Sequence, residues 1–296
     1  MCELFAMSSR VPTRVRFLLD ALARRGGAED HHRDGWGVAF GEDGDALVLR
    51  EPAAASESAL VRFMESSGPR SRLVLSHIRK GTVGPTRLAN THPFARPLGG
   101  RLHLFAHNGD VPGVRYDRRF DPGRHHPIGD GDSELAFGAL LHRLEPLWAG
   151  AEVPALAERL AVVARFAAEL AELGPANFLY ADGDVLFAHG DRRRQRDGRI
   201  APPGLHVVER HCHEDFGARE TEGVVVSPSA LAADDPAQRV VMLASVPLTG
   251  HESWTPLAQG EILVFRSGEV LTRARRCSDL VPAVPSTNLS SRKFNE

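Results

Sequence analysis

The 296-residue chain is poor in cysteine: Cys2, Cys212 and Cys277 are its only three. Thiols so few and so scattered cannot build a disulfide framework, which points to a reducing compartment, and a cytosolic protein is expected. No apolar run is long enough to cross a bilayer. Glu3 and three arginines precede the first long apolar stretch, so the opening segment does not read as a secretory signal. Charge of either sign is not in excess. A formal net charge of -2 gives no general attraction to nucleic acid or an anionic membrane, and neither is expected as a partner. Two common site signatures are missing too: there is no G-x-S-x-G elbow, and "GWGVAF" lacks the third glycine of a dinucleotide loop. His31 with His32, His125 with His126, and His211 with His213 have no matching pair at zinc-site spacing. They read as solvated loop histidines, and no metal or other cofactor is expected.

What is present is an ordinary globular composition, 42% hydrophobic and 25% charged, in a chain long enough to bury a sizeable core. "CELFAM" reads as a first strand. "PTRVRFLLDALARRGG" spaces Val15, Leu18, Leu19 and Leu22 by three and four, which predicts an amphipathic helix closed by Gly26. "GWGVAF" and "ALVLRE" flank a Gly/Asp turn, as the arms of a hairpin do. Ser56 is the expected cap of a short helix carrying Leu60, Val61 and Met64. "RLVLSHIRK" and "LHLFAHNG" read as buried strands with polar ends. "DSELAFGALLHRLEPLW" predicts a helix with acidic residues in its first turn, where the helix dipole favours them. "VPALAERLAVVARFAAELAELG" lines up Leu156, Leu160, Val163, Leu170 and Leu173 and stops at Gly174. From "NFLYAD" to "EILVFRSGEVL" only strands are expected. Strands, two helices and strands again predict two sheets with helices packed outside them. One domain over residues 2–275 is expected, and 276–296, poor in large apolar residues, reads as a mobile tail.

Chemistry concentrates in four places. Cys2 directly follows the initiator methionine, and it is either a small buried residue or a nucleophile. "SHIRKGTVG" sets Arg79 and Lys80 where a buried strand emerges, and an arginine there can hold a carboxylate bidentately. "AHNGD" sets the Asn108 side chain beside the Gly109 N–H, a donor pair able to stabilise an oxyanion. "GDGDSE" sets Asp132 at the mouth of a helix, a fixed negative charge for an amine. Each has a plainer reading: an Asn-Gly turn, a surface arginine, a helix cap. Their combination in this order is what favours a site.

Taken together, "MCELFAM", "DGWG", "SHIRKGTVG", "NTHPF", "FAHNG" and "GDSE" resemble the class II glutamine amidotransferases of the N-terminal nucleophile hydrolase superfamily. The likeness is greatest to their stand-alone, glutaminase-only branch and runs from Cys2 to about Val270. It implies an α+β fold, a four-layer αββα sandwich of two antiparallel sheets. It also implies removal of Met1 and attack of Cys2 on the γ-carboxamide of glutamine, with release of ammonia and hydrolysis of a γ-glutamyl thioester. By the same resemblance Asn108 and the Gly109 N–H serve the oxyanion, Arg79 the α-carboxylate and Asp132 the α-ammonium. A thiol has a pKa of about 8.5 and needs a base, and an α-amine of pKa about 8 can be that base, so no histidine is required.

Glutamine or another γ-glutamyl compound is then the substrate. A separate ammonia-accepting synthase is a possible partner, because too few residues remain for a fused one. Glu3 stands where many relatives have glycine, which leaves open the acyl group accepted beyond glutamine. Hydrolysis of a different γ-glutamyl amide or peptide is the alternative, and a non-catalytic glutamine-sensing or scaffold domain is a second. His77, His92 and His107 flank the motifs and are expected to be structural. Trp36 is expected in the core near the pocket. The run "DRRRQRDGR" reads as a solvated loop or as a docking patch for an acidic partner.

Overall fold

The computed structural model describes residues 2–15, 34–79, 85–195, 197–212, 224–225, 238–250 and 252–275. Its first sheet is built around β1 (Glu3–Val15), which pairs antiparallel with β4 (Ser71–Ile78) on one side and β13 (Gln238–Ala244) on the other. Beyond β4 lie β2 (Trp36–Glu42) and β3 (Asp45–Glu51), the expected hairpin. Beyond β13 lie β11 (His206–Cys212) and β14 (Thr255–Pro256), and the short β12 (Val224–Val225) joins the far end of β1. The second sheet runs in the order β16 (Glu269–Ala274), β15 (Glu261–Arg266), β8 (Leu186–Gly190), β7 (Ala176–Ala181), β6 (Arg101–Gly109) and β5 (Phe94–Leu98). All of its pairings are antiparallel. A small ribbon of β9 (Arg193–Arg194) and β10 (Ile200–Ala201) follows β8.

Strand alternation sorts the side chains into layers. Leu4, Ala6, Leu75, Leu104, Ala106, Leu179 and Ala188 meet between the sheets. The alternate residues of the second sheet, Phe105, Phe178 and Tyr180 among them, pack under α2 (Asp132–Leu144) and α3 (Leu156–Leu173). Phe5, Met7, Val38 and Val74 of the first sheet pack against Val61 and Met64 of α1 (Ala59–Ser67). Helix, sheet, sheet and helix form the expected αββα sandwich. Helix α3 buries Leu160, Val163 and Leu170 and ends at Gly174, as its apolar spacing requires. Among the described residues, no helix is long and apolar enough to cross a membrane.

Three local expectations are corrected. β1 runs on to Val15, where the amphipathic helix was expected to have begun: Thr13 pairs with Ser71 and Arg14 with Val225. The alternation of β-branched Val11, Thr13 and Val15 outweighs the helical spacing there. The rest of that segment, 16–26, lies outside the described residues, as does 276–296. The cap of α1 is Ser58, whose hydroxyl accepts the N–H groups of Leu60 and Val61, while Ser56 sits in a preceding 3-10 turn. "EILVFRSGEVL" is a hairpin, not one strand, turning at Ser267 and Gly268, both with positive φ.

Candidate active site

Cys2 immediately precedes β1, two residues before Leu4, which with Ala6 packs between the sheets. Asn108, next to last in β6, faces the same layer from the opposite sheet. Its Nδ2 donates to the Cys2 carbonyl oxygen at 2.5 Å and lies 3.4 Å from Ser245 Oγ. Its Oδ1 is buried and has no hydrogen-bond partner among the described residues, an arrangement that a folded protein rarely tolerates without a reason. Gly109 follows, and a side chain there does not fit. A Cβ would lie 1.7 Å from the Pro175 carbonyl oxygen and 2.7 Å from His107 Nε2.

Arg79 comes one residue after the Glu3–Ile78 pair of β1 and β4, as Cys2 comes one residue before it. The register thus carries Arg79 to the Cys2 end of the sandwich. It is 4% exposed, its N–H donates to Gly35 O at 2.7 Å, and its guanidinium reaches Asp34 O at 3.2 Å. Lys80 lies outside the described residues. Asp132 is the first residue of α2 and is buried. Its Oδ2 accepts the Val111 N–H at 2.8 Å, and its Oδ1 accepts the Ser133 N–H at 2.8 Å. The carboxylate therefore ties the helix start to the chain just past Asn108 and Gly109.

Three buried histidines stand close by. His107 points the other way from Asn108, and its Nδ1 hydrogen-bonds Ser133 Oγ at 2.9 Å. Burial pulls its pKa below the usual value, with Asp132 acting against that pull. His92 packs edge-on to His77 at 4.2 Å between ring centroids, and on Phe94 at 4.3 Å. Burial, then the neighbouring His77, holds His92 well below the ordinary imidazole range. Imidazoles held neutral in this way fit the structural role expected of them. Trp36 is buried as expected, but on the outer face of the first sheet, its Nε1 donating to Glu51 Oε2 at 3.0 Å.

Several residues at the site were not singled out from the sequence. Ser245 follows β13; its Oγ accepts the Leu4 N–H at 2.9 Å and its own N–H donates to Leu4 O at 3.0 Å. Asn177 pairs with Asn108 across β6 and β7, and its Nδ2 donates to Asn108 O at 3.2 Å. Arg193, from the arginine-rich run, is buried against Glu3 with Nη2 to Oε1 at 2.9 Å. That run is not simply a solvated loop, although Arg199 with Asp197 is an exposed pair. An acidic residue in "CELFAM" was the one available signal, since a carboxylate on an apolar strand calls for a cation.

Two facing antiparallel sheets with helices outside them define the N-terminal nucleophile hydrolase fold. The chain belongs to the class II glutamine amidotransferases: the model of that family, "Glutamine amidotransferases class-II", matches residues 1–286. It is 33% identical over 271 residues to "Putative glutamine amidotransferase YafJ" of Escherichia coli K12, covering 91% of this chain and 99% of the relative. A Haemophilus influenzae protein named "Putative glutamine amidotransferase" is 32% identical over 271 residues, covering 91% of this chain and 85% of the relative. The crystal structure of a "predicted glutamine amidotransferase" from Pseudomonas aeruginosa PA01 superposes with TM-score 0.63 at 32% identity, over 92% of this chain and 100% of that one. Glutamine PRPP amidotransferase from B. subtilis, at 13% identity, shares the fold with TM-score 0.56, over 93% of this chain and 49% of that one.

Proposed function

We propose that the chain hydrolyses the γ-carboxamide of glutamine with Cys2 as nucleophile, through a single glutaminase domain over 2–275. The observation that carries this reading is the contact of Asn108 with Cys2 across the two sheets, with Gly109 next in the chain. Removal of Met1 frees the α-amine of Cys2, whose ordinary pKa of about 8 suits a base near neutral pH. The amine takes the thiol proton as sulfur bonds to the γ-carbon. The resulting oxyanion is met by the second hydrogen of Asn108 Nδ2, which Ser245 Oγ engages only at 3.4 Å, and by the Gly109 N–H. As the C–N bond breaks, the α-ammonium returns its proton to the departing ammonia. Water then attacks the thioester, gives its proton to the α-amine, and glutamate leaves as the thiol reforms. Arg79 holds the substrate α-carboxylate and Asp132 its α-ammonium. Ammonia leaves to water or to a separate synthase.

The test compares kcat/KM of the purified chain on glutamine and on a panel of γ-glutamyl amides and peptides, alongside Cys2→Ala. Glutamine turnover lost in Cys2→Ala, with one methionine absent from the intact mass, is the expected result. Arg79→Ala should chiefly raise KM. A preference of about a hundredfold for another γ-glutamyl compound, roughly 2.7 kcal/mol in transition-state binding, overturns glutamine as the substrate. Full activity in protein retaining Met1 removes the α-amine from the mechanism.

A further inference from the structure

Glu3 is an acidic side chain next to the nucleophile, on an otherwise apolar strand, and it is 2% exposed. Its partner Arg193 is almost as buried and comes from the small ribbon that follows the second sheet. Taking both charges out of water costs several kcal/mol per ion, so stability alone does not account for the pair. Geometry does. Arg193 Nη2 donates to Glu3 Oε1 at 2.9 Å and Nη1 to Ser245 O at 2.8 Å, with Glu3 Oε2 at 3.4 Å. Ser245 is bonded in both directions to Leu4, and its Oγ lies 3.4 Å from Asn108 Nδ2. One planar guanidinium therefore fastens the residue after Cys2 to the end of β13, and does so from the ribbon that follows β8, a strand of the sheet that carries Asn108.

We propose that Arg193, through Glu3 and Ser245, is a positioning residue that sets Cys2 against Asn108; this rests on the glutaminase reading above. The two catalytic groups come from different sheets, so their separation depends on how those sheets meet at this end. Displacements of about 1 Å at reacting atoms lower rates by about a hundredfold. A fork with two directed donors fixes that separation in a way an ammonium cannot.

The test uses the full-length chain with Glu3→Met and Arg193→Met together, which removes both charges without stranding either. The folded double variant is expected to lose about tenfold or more in kcat for glutamine, with KM within about threefold of the parent. Arg193→Lys, which keeps the charge but cannot span both acceptors, is expected to lose kcat in the same sense and replaces the double variant if that does not fold. Unchanged kcat in either folded variant overturns the proposal, as does a rise in KM alone. If the unaltered chain turns over neither glutamine nor γ-glutamyl amides, the glutaminase reading has failed, and the positioning role is then judged by the rate of Cys2 alkylation with iodoacetamide, followed by peptide mass. About tenfold slower alkylation in the variant supports it, and equal rates overturn it.

Discussion

Along β6 and β7 neighbouring residues face opposite ways, and the two faces of that sheet are built from different materials. Towards the helices stand Phe105, His107, Phe178 and Tyr180; towards the first sheet stand Leu104, Ala106, Asn108, Leu179 and Ala181. The helix side is filled by rings: Phe105 stacks on Phe137 at 5.3 Å, and Phe166 meets Phe178 edge-on at 5.8 Å. Rounded helices over a pleated sheet leave deep, uneven spaces that large side chains fill. Two sheets face to face leave a shallower, more regular layer, and leucine with alanine fills it. Only across that thin layer can an asparagine amide on one sheet reach a backbone carbonyl on the other. The large rings lie on one face and the Asn108 contact with Cys2 on the other, a single residue apart.

The largest expected effect tests the thick face. Phe178→Ala should cost about 3–5 kcal/mol, measured by urea unfolding, because its ring is shared with Phe105 and Phe166. Leu179→Ala, one residue on but in the thin layer, should cost about 2–3 kcal/mol. An equal or larger loss there would break the contrast. Asn108→Ala should lower kcat by about 10²–10³, some 3–4 kcal/mol in the transition state, with little change in the unfolding midpoint. His107→Asn, on the ring side, should instead lower stability and leave the acid limb of kcat/KM where it is. Loss of that limb would make a histidine the base.

A smaller effect comes from pH. Burial depresses His103, packed between Tyr180 and Trp148, to a pKa of about 3. Between pH 6.5 and 3 the unfolded chain takes up a proton at this site and the folded chain does not. Stability is therefore complete above pH 6.5 and falls as pH drops to 3, by at most about 1.4 kcal/mol per pH unit from this group. His103→Gln should flatten that slope in unfolding measured across the window. Least affected should be the far end of the sandwich. Arg266→Ala removes a half-exposed pair with Asp184 at 2.8 Å and should cost no more than about 1 kcal/mol, with kcat unchanged.

Much of this contrast was legible in the sequence where it depended on local pattern. Alternation in "LHLFAHNG" gave a buried strand, the leucine spacing of "VPALAERLAVVARFAAELAELG" gave a helix, and six short motifs in order gave the family. What the sequence could not disclose is set by distance along the chain. Glu3 and Arg193 are 190 residues apart, and nothing near either names the other. Ser245 is a plain serine after an apolar strand until Leu4 is laid beside it. The helix expected from Val15 onwards began inside β1 because Ser71 and Val225, both remote, supply strand partners for Thr13 and Arg14. Ser58 displaced Ser56 as the cap because a 3-10 turn intervenes, a difference of two residues that propensity does not resolve.

The place of β1 in its sheet has a consequence for the order in which the chain matures. Phe5 is paired at once with Ser76 and with Ala244, so the strand that follows Cys2 lies between partners about 70 and 240 residues downstream. On a growing chain β4 arrives early, whereas β13 emerges about 160 residues later. Until then β1 lacks its β13 partner and Leu4 lacks Ser245. The proposed nucleophile is thus made long before the serine that fixes its neighbour Leu4.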